Sequence, residues 1–192
     1  MKVLCFSGSP RSGGNTEILL AELLRGASDA SAQTELVQLS KVRFDPCISC
    51  GRCYKTGRCE VEDAFKPILD KIIEADHVVL ASPIYFMGLS AWAKILVDRC
   101  QCLWARKYIL KEPVPRYKGD IPRRGVFIST AGSGVPGAFQ GAVFTVKYFF
   151  DAIGVLHWKN LLYARIDAKG EIKSHPTAML EAYETGRELV VK

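Results

Sequence analysis

Three short apolar runs without polar alternation, Val3 to Phe6, Val78 to Ala81 and Val126 to Ile128, constrain this chain more than any other feature. A strand with one wetted face alternates apolar and polar residues, whereas an unbroken run marks a strand covered on both faces, the condition inside a parallel sheet. The intervening segments carry a helical period instead. Ile18, Leu19, Leu23 and Leu24 fall on one face, as do Phe65, Ile68, Leu69 and Ile72, and Phe139, Val143, Val146 and Phe150 make a third stripe. Glu35 to Leu39 reads as a second strand, Ala91 to Cys102 as a helix, Val155 to Ile166 as a last strand region and Pro176 to Val190 as a closing helix. This alternation predicts an α/β fold: a doubly wound, five-stranded parallel sheet with right-handed crossovers and strand order 2-1-3-4-5. In that order the ligand crevice lies at the carboxyl ends of the first and third strands, so the loops at 7 to 16, 82 to 90 and 129 to 137 are candidates for binding.

At 192 residues, with 48% hydrophobic and 24% charged residues, the chain is expected to form one domain, residues 1 to 192. The net charge of +6 is spread among interleaved acids and bases without a long basic stripe, so it reads as solvated surface and not as a nucleic-acid site. Two local enrichments stand out: Lys41, Arg43, Arg52, Lys55 and Arg58, and later Arg116, Lys118, Arg123 and Arg124. The first apolar run is too short for a signal-peptide core and no other spans a bilayer, which predicts a cytoplasmic protein with no membrane partner. In that reducing compartment the seven cysteines are expected to be free thiols or metal ligands. Two connections are unusually long: residues 39 to 62, and residues 104 to 121, which carry Trp104, Pro113 and Pro115 and are expected to pack against another subunit.

The loop SGSPRSGGNT, residues 7 to 16, leaves a buried strand and enters a helix. Glycines let the backbone curl, the helix start supplies free N–H groups and a positive dipole end, and Ser9, Ser12, Asn15 and Thr16 add donors. Arg11 adds a charge-assisted contact, so the loop suits a phosphate. A polar turn capping the helix is the plainer alternative. It is not a Walker loop, because Gly14 and Asn15 stand where that motif needs Lys and Ser or Thr. After the third strand, Pro83, Ile84, Tyr85, Phe86 and Gly88 offer a flat apolar surface with exposed amides, suited to a ring with apolar faces and one polar edge. Ordinary core packing is the alternative for Tyr85 and Phe86.

Residues 47 to 59 read CISCGRCYKTGRC, which places four of the seven cysteines on one loop. Cys47, Cys50, Cys53 and Cys59 follow C-x2-C-x2-C-x5-C. The first two intervals are those with which a short loop wraps a cubic iron–sulfur cluster, and Gly57 permits a return turn that brings Cys59 to the same centre. Arg52, Lys55 and Arg58 offset the negative charge of such a centre. Two other chemistries stay open. Zinc usually draws four cysteines as two separated pairs, whereas three crowd here within seven residues. Free thiols, idle or acting as a redox pair, are the third.

GSPRSGGNT, with SPIYFMGLSAWAK at 82 to 94 and STAGSG at 129 to 134, resembles the FMN-binding, flavodoxin-like proteins of the NAD(P)H-dependent FMN reductase type, over roughly residues 1 to 155. The resemblance implies that Ser9, Arg11, Asn15 and Thr16 hold the FMN phosphate, that Pro83, Ile84, Tyr85 and Phe86 face the isoalloxazine, and that Thr130, Ala131 and Gly132 close its other side. GSGVPG at 132 to 137 fits G-x-G-x-x-G, but it follows the fourth strand, and Asp151 falls within a helix; its glycines are read as letting the backbone approach the flavin.

With the four-cysteine loop, the chain also resembles the iron–sulfur flavoproteins of anaerobic archaea and bacteria. That resemblance implies an oxidoreductase with one FMN and one [4Fe–4S] cluster per subunit. It further implies a homodimer or homotetramer that takes electrons from a ferredoxin-like donor. The alternatives are an NAD(P)H-dependent FMN, quinone or azo reductase whose cysteines hold no cluster, and a cofactor-poor redox sensor. Cys5 is expected in the core, Cys100 and Cys102 lack metal spacing, and His77, His157 and His175 are assigned no catalytic role.

Overall fold

The computed structural model describes residues 1–114 and 122–191. Its strands are β1 (Lys2–Ser7), β2 (Gln33–Gln38), β3 (His77–Ala81), β4 (Ile84–Tyr85), β5 (Gly88–Leu89), β6 (Arg124–Ala131) and β7 (Leu156–Ala164). Five of them make a parallel sheet in the order β2-β1-β3-β6-β7, and β4 and β5 form a separate antiparallel hairpin. With the hairpin set aside, this is the flavodoxin-like order 2-1-3-4-5 expected from the sequence.

The helices are α1 (Asn15–Asp29), α2 (Cys53–Thr56), α3 (Phe65–Glu74), α4 (Ala91–Arg99), α5 (Gln101–Tyr108), α6 (Gln140–Ala152) and α7 (Ala178–Val190). Successive residues of a strand point to opposite faces. Leu4, Phe6, Val78 and Leu80 accordingly pack with α3, α4 and α6, while Val3, Cys5, Val79 and Ala81 pack with α1 and α7. Both faces are dry, which is why these runs lack alternation. Among the described residues no helix is long and apolar enough to cross a membrane.

Three expectations need correction. The helix expected over Ala91 to Cys102 is two helices that meet at Cys100. The connection expected at 104 to 121 begins as helix, since α5 runs to Tyr108; Pro115, Arg116, Lys118 and Ile121 lie outside the described residues. Arg123, expected within a basic surface cluster, is buried: its Nε donates to Ala75 O at 2.9 Å, Nη1 to Ile153 O at 2.8 Å, and Nη2 to Ile72 O. It thereby satisfies carbonyls left open in the last turn of α3 and at the C-caps of α3 and α6. Burial lowers its pKa to about 10, which still leaves it charged at neutral pH.

His77 lies in the sheet at the end remote from the binding loops. Its Nδ1 accepts from Arg124 N at 3.1 Å, and its buried Nε2 has no partner among the described residues. Burial, with the charges of Arg124 and Arg123, lowers its pKa from 6.5 to about 4. Between those values the unfolded chain binds a proton that the folded chain refuses, so stability falls as pH drops through this window. The expected loss from pH 6.5 to pH 4 is about 3 kcal/mol. Urea titrations across that range should show a flatter profile for His77→Gln. A parallel profile would mean that other groups carry the acid sensitivity.

Candidate functional site

The loop after β1 is tied down at both ends. Gly8 N donates to Ala81 O at 2.8 Å, and Ser90, which caps α4 by accepting from Ala93 N at 3.3 Å, donates its hydroxyl to Gly8 O at 2.6 Å. A Cβ on Gly8 would lie 2.8 Å from the Cβ of Ala93, so only glycine lets the loop sit this close to α4. Within the loop, Ser9 Oγ accepts from Arg11 N at 3.1 Å. The first backbone bond of α1 runs from Ile18 N to Gly14 O. The N–H groups of Asn15, Thr16 and Glu17 precede it and have no intrahelical acceptor, which is the ordinary anion cradle of a helix start.

One cleft gathers Ser9, Arg11, Asn15 and Thr16 from this loop, Pro83, Ile84 and Tyr85 after β3, and Thr130 and Gly132 at the end of β6. It also takes in Asp167 and Lys169 from the loop after β7, which the sequence reading passed over. Lys169 Cε lies 3.4 Å from where a Cβ on Gly13 would stand. Two cations, Arg11 and Lys169, therefore flank the loop, and with the open N–H groups and two hydroxyls the set fits a phosphate group. Asn15 has a different engagement: its Nδ2 donates to Ala168 O at 2.9 Å and its Oδ1 accepts from Ile172 N at 3.3 Å, so both ends hold the loop that carries Lys169.

Ser12, Phe86, Gly88 and Ala131 do not line the cleft. Ser12 is exposed, and Ala131 is buried in β6. Gly88 opens β5, and Phe86 stands at the tip of the hairpin, fully exposed. Phe86 and Met87 have φ of 48° and 61°, the left-handed pair of a type I′ turn, which normally takes Asn or Gly. Two bulky residues there cost roughly 1–3 kcal/mol each.

The cysteine loop builds a second cavity of about 240 Å³, lined by Cys47, Cys50, Cys53 and Cys59. Cys53 opens α2, and Gly57 ends it at φ +65°, turning the chain back toward Cys59. Burial and the neighbouring Cys47 and Cys50 raise the Cys53 pKa. The thiols rim the cavity without converging: among the described residues no three Cys, His, Asp or Glu side chains gather closely enough to hold one metal ion. Four thiols on one cavity are the donor chemistry of a cluster that binds each thiolate at a different iron, so by residue type the set suits that group.

Two further residues reach the cavity, Cys102, set aside in the sequence for lack of metal spacing, and Arg99, which the sequence does not single out. Cys102, from α5, adds a fifth thiol whose pKa burial and the nearby Cys59 and Cys53 raise to about 12. Arg99, at the end of α4, sends a buried guanidinium to Asp63, with Nη1 2.5 Å from Oδ2 and Nη2 2.9 Å from Oδ1. No spacing in the sequence points to either residue, since both reach the cavity through the packing of α4 and α5. Arg52, Lys55 and Arg58, expected to offset a negative centre, are exposed.

Residues 1–155 match the family described as NADPH-dependent FMN reductase. An iron–sulfur flavoprotein of Methanocaldococcus jannaschii is 43% identical over 103 residues, 54% of this chain and 53% of that protein. An iron–sulfur flavoprotein of Methanosarcina thermophila is 33% identical over 114 residues, 59% of this chain and 60% of that protein. The chain thus spans little more than half the length of these curated relatives. Among solved structures, an FMN-dependent NADH-azoreductase of Bacillus anthracis in complex with FMN superposes with a TM-score of 0.72 over 99% of both chains at 14% identity, a likeness of fold.

Proposed function

Because the chain belongs to the NADPH-dependent FMN reductase family, we propose that it is an electron-transfer flavoprotein in which the cleft beside α1 holds FMN and the cysteine cavity holds a [4Fe–4S] cluster. The observation that carries this reading is that four thiols rim one cavity on a domain that also has a phosphate cradle. When bound, the two groups supply one-electron exchange at iron and one- or two-electron exchange at the flavin. The chain's own part is to bind and orient them. Arg11, Lys169 and the first N–H groups of α1 hold the phosphate, Pro83 to Tyr85 form a wall for the ring, and Cys47, Cys50, Cys53 and Cys59 take the irons. A ferredoxin-like protein is the proposed donor.

Anaerobic purification with iron, sulfide and FMN analysis tests the assignment, and careful reconstitution that leaves iron far below four per chain sinks the cluster. Replacing Arg11 and Lys169 together by Ala should weaken FMN retention about a hundredfold or more, since each charge-assisted contact contributes roughly 1.5–3 kcal/mol. Unchanged FMN affinity in equilibrium dialysis would place the phosphate elsewhere. The family name favours a second reading, a reductase that takes hydride from NAD(P)H without a cluster. Rapid bleaching of bound flavin by NADPH or NADH, with no ferredoxin added, would select it.

The same reading includes a homodimer or homotetramer. Phe86, Met87, Phe144 and Tyr148 are all exposed. Met87 O lies 2.8 Å from where a Cβ on Gly141 would stand at the start of α6, and Phe144 and Tyr148 follow one and two turns along. An exposed apolar strip of this kind supports packing against a second copy.

A further inference from the structure

Arg99 is among the largest fully buried side chains, and the partners of its guanidinium lie in the cysteine insert or at its margin. Beyond the fork onto Asp63, Nη1 donates to Asp45 O at 2.8 Å and Nη2 lies 3.4 Å from Cys59 Sγ. The guanidinium carbon stands 4.5 Å from the ring centre of Phe65 and 5.9 Å from that of Phe44. A buried cation is costly unless paired, and Asp63 provides the pair. A loop tether alone would need no more than that. The additional N–H aimed at the sulfur of Cys59 places a donor, on a guanidinium buried in the protein, against one proposed ligand.

We propose that Arg99, held in place by Asp63, is the positioning residue that presents Cys59 to the cysteine-bound centre and sets that centre's reduction potential. This rests on the cluster reading above. An N–H donor on a ligand sulfur and a nearby cation both favour the more negative, reduced state, and therefore raise the potential. Arg52, Lys55 and Arg58 carry the same charge, but they are exposed, and water and salt weaken their effect. The buried guanidinium outweighs them, although it lies forty residues away from Cys59 in sequence.

The test is a redox titration of anaerobically reconstituted protein, followed by electron paramagnetic resonance. Arg99→Gln should shift the one-electron equilibrium against reduction at least tenfold, about 59 mV. Arg99→Lys, which keeps the charge but cannot fork onto Asp63 and reach Cys59 together, should fall between it and the parent. Arg58→Ala should change the potential less than either. A loaded Arg99→Gln protein with the parent's potential overturns the proposal. If both Arg99 variants fail to fold, the unaltered protein labelled with 15N-arginine decides: pulsed resonance on the reduced centre should detect a coupled guanidinium nitrogen that persists in Arg58→Ala, and its absence overturns the proposal. Unaltered protein that takes up no iron and sulfide overturns the cluster reading, and this proposal with it; a loaded protein lacking the Arg99 effect overturns this proposal alone.

Discussion

Gly186→Ala should lower the stability of this protein, although alanine is the better helix former. In an open helix the exchange gains about 1 kcal/mol. Here α7 crosses α1 backbone to backbone: a Cβ on Gly186 would stand 2.0 Å from Leu23 O, and one on Gly26 would stand 2.0 Å from Tyr183 O. The obstructing atoms are carbonyls inside helices, so no rotamer change relieves the clash and the helices must separate. Overpacking of this kind costs typically 1–3 kcal/mol and sometimes more. A clash of 2.0 Å against a backbone carbonyl lies at the upper end of that range, about 3 kcal/mol, so after the helix gain we expect a net loss of about 2 kcal/mol, a fall in Tm of roughly 4–8 °C for a chain of this length. Glu184→Ala, at a position on α7 outside the crossing, should stay within about 0.5 kcal/mol of the parent. Calorimetry that finds Gly186→Ala stabilised would mean that the two helices are not in this contact. Gly26→Ala should behave alike, and the two losses should not add, because both act on one crossing.

That crossing was hidden in the sequence for a physical reason. A glycine within a helical period reads as a weakness, and nothing local tells that another helix lies against it. The parallel strands were legible because both of their faces are covered, which removes alternation from the sequence itself. The proposed phosphate loop stood out because a phosphate site needs glycines, small donors and a helix start in sequence order. Lys169 did not, since it joins the cleft from the loop after β7, more than a hundred and fifty residues from Arg11. Cys47, Cys50, Cys53 and Cys59 advertise themselves by spacing; Cys102 and Arg99 reach the same cavity through the packing of α4 and α5. Contacts made across the fold leave no spacing to read. Arg123 shows the converse, a basic residue near Arg124 in sequence whose side chain turns inward to satisfy carbonyls.

Two variants, each deficient in one proposed centre, should restore each other's electron transfer when their subunits exchange. The cleft and the cysteine cavity share no lining residue, and α4 stands between them. Ser90 at its start touches the loop after β1, and Arg99 at its end touches Cys59. The nine residues of α4 correspond to about 13 Å along the helix axis. A cluster in the cavity is thus set back from its own subunit's ring, and a neighbouring copy is free to present a nearer one. Cys53→Ser protein should keep FMN and lose the intact cluster, whereas Arg11→Ala/Lys169→Ala protein should keep the cluster and lose most FMN. Each alone should pass few electrons from a reduced ferredoxin to flavin. Exchanged at equal amounts as symmetric dimers, half of the assemblies are mixed and each has one complete path of two, so recovery should approach about a quarter of the parent's activity. Mass spectrometry of the intact assemblies establishes that exchange took place. Mixed assemblies with no recovered transfer would show that electrons cross within one subunit, and the 13 Å setback along α4 would then have to be bridged inside the chain.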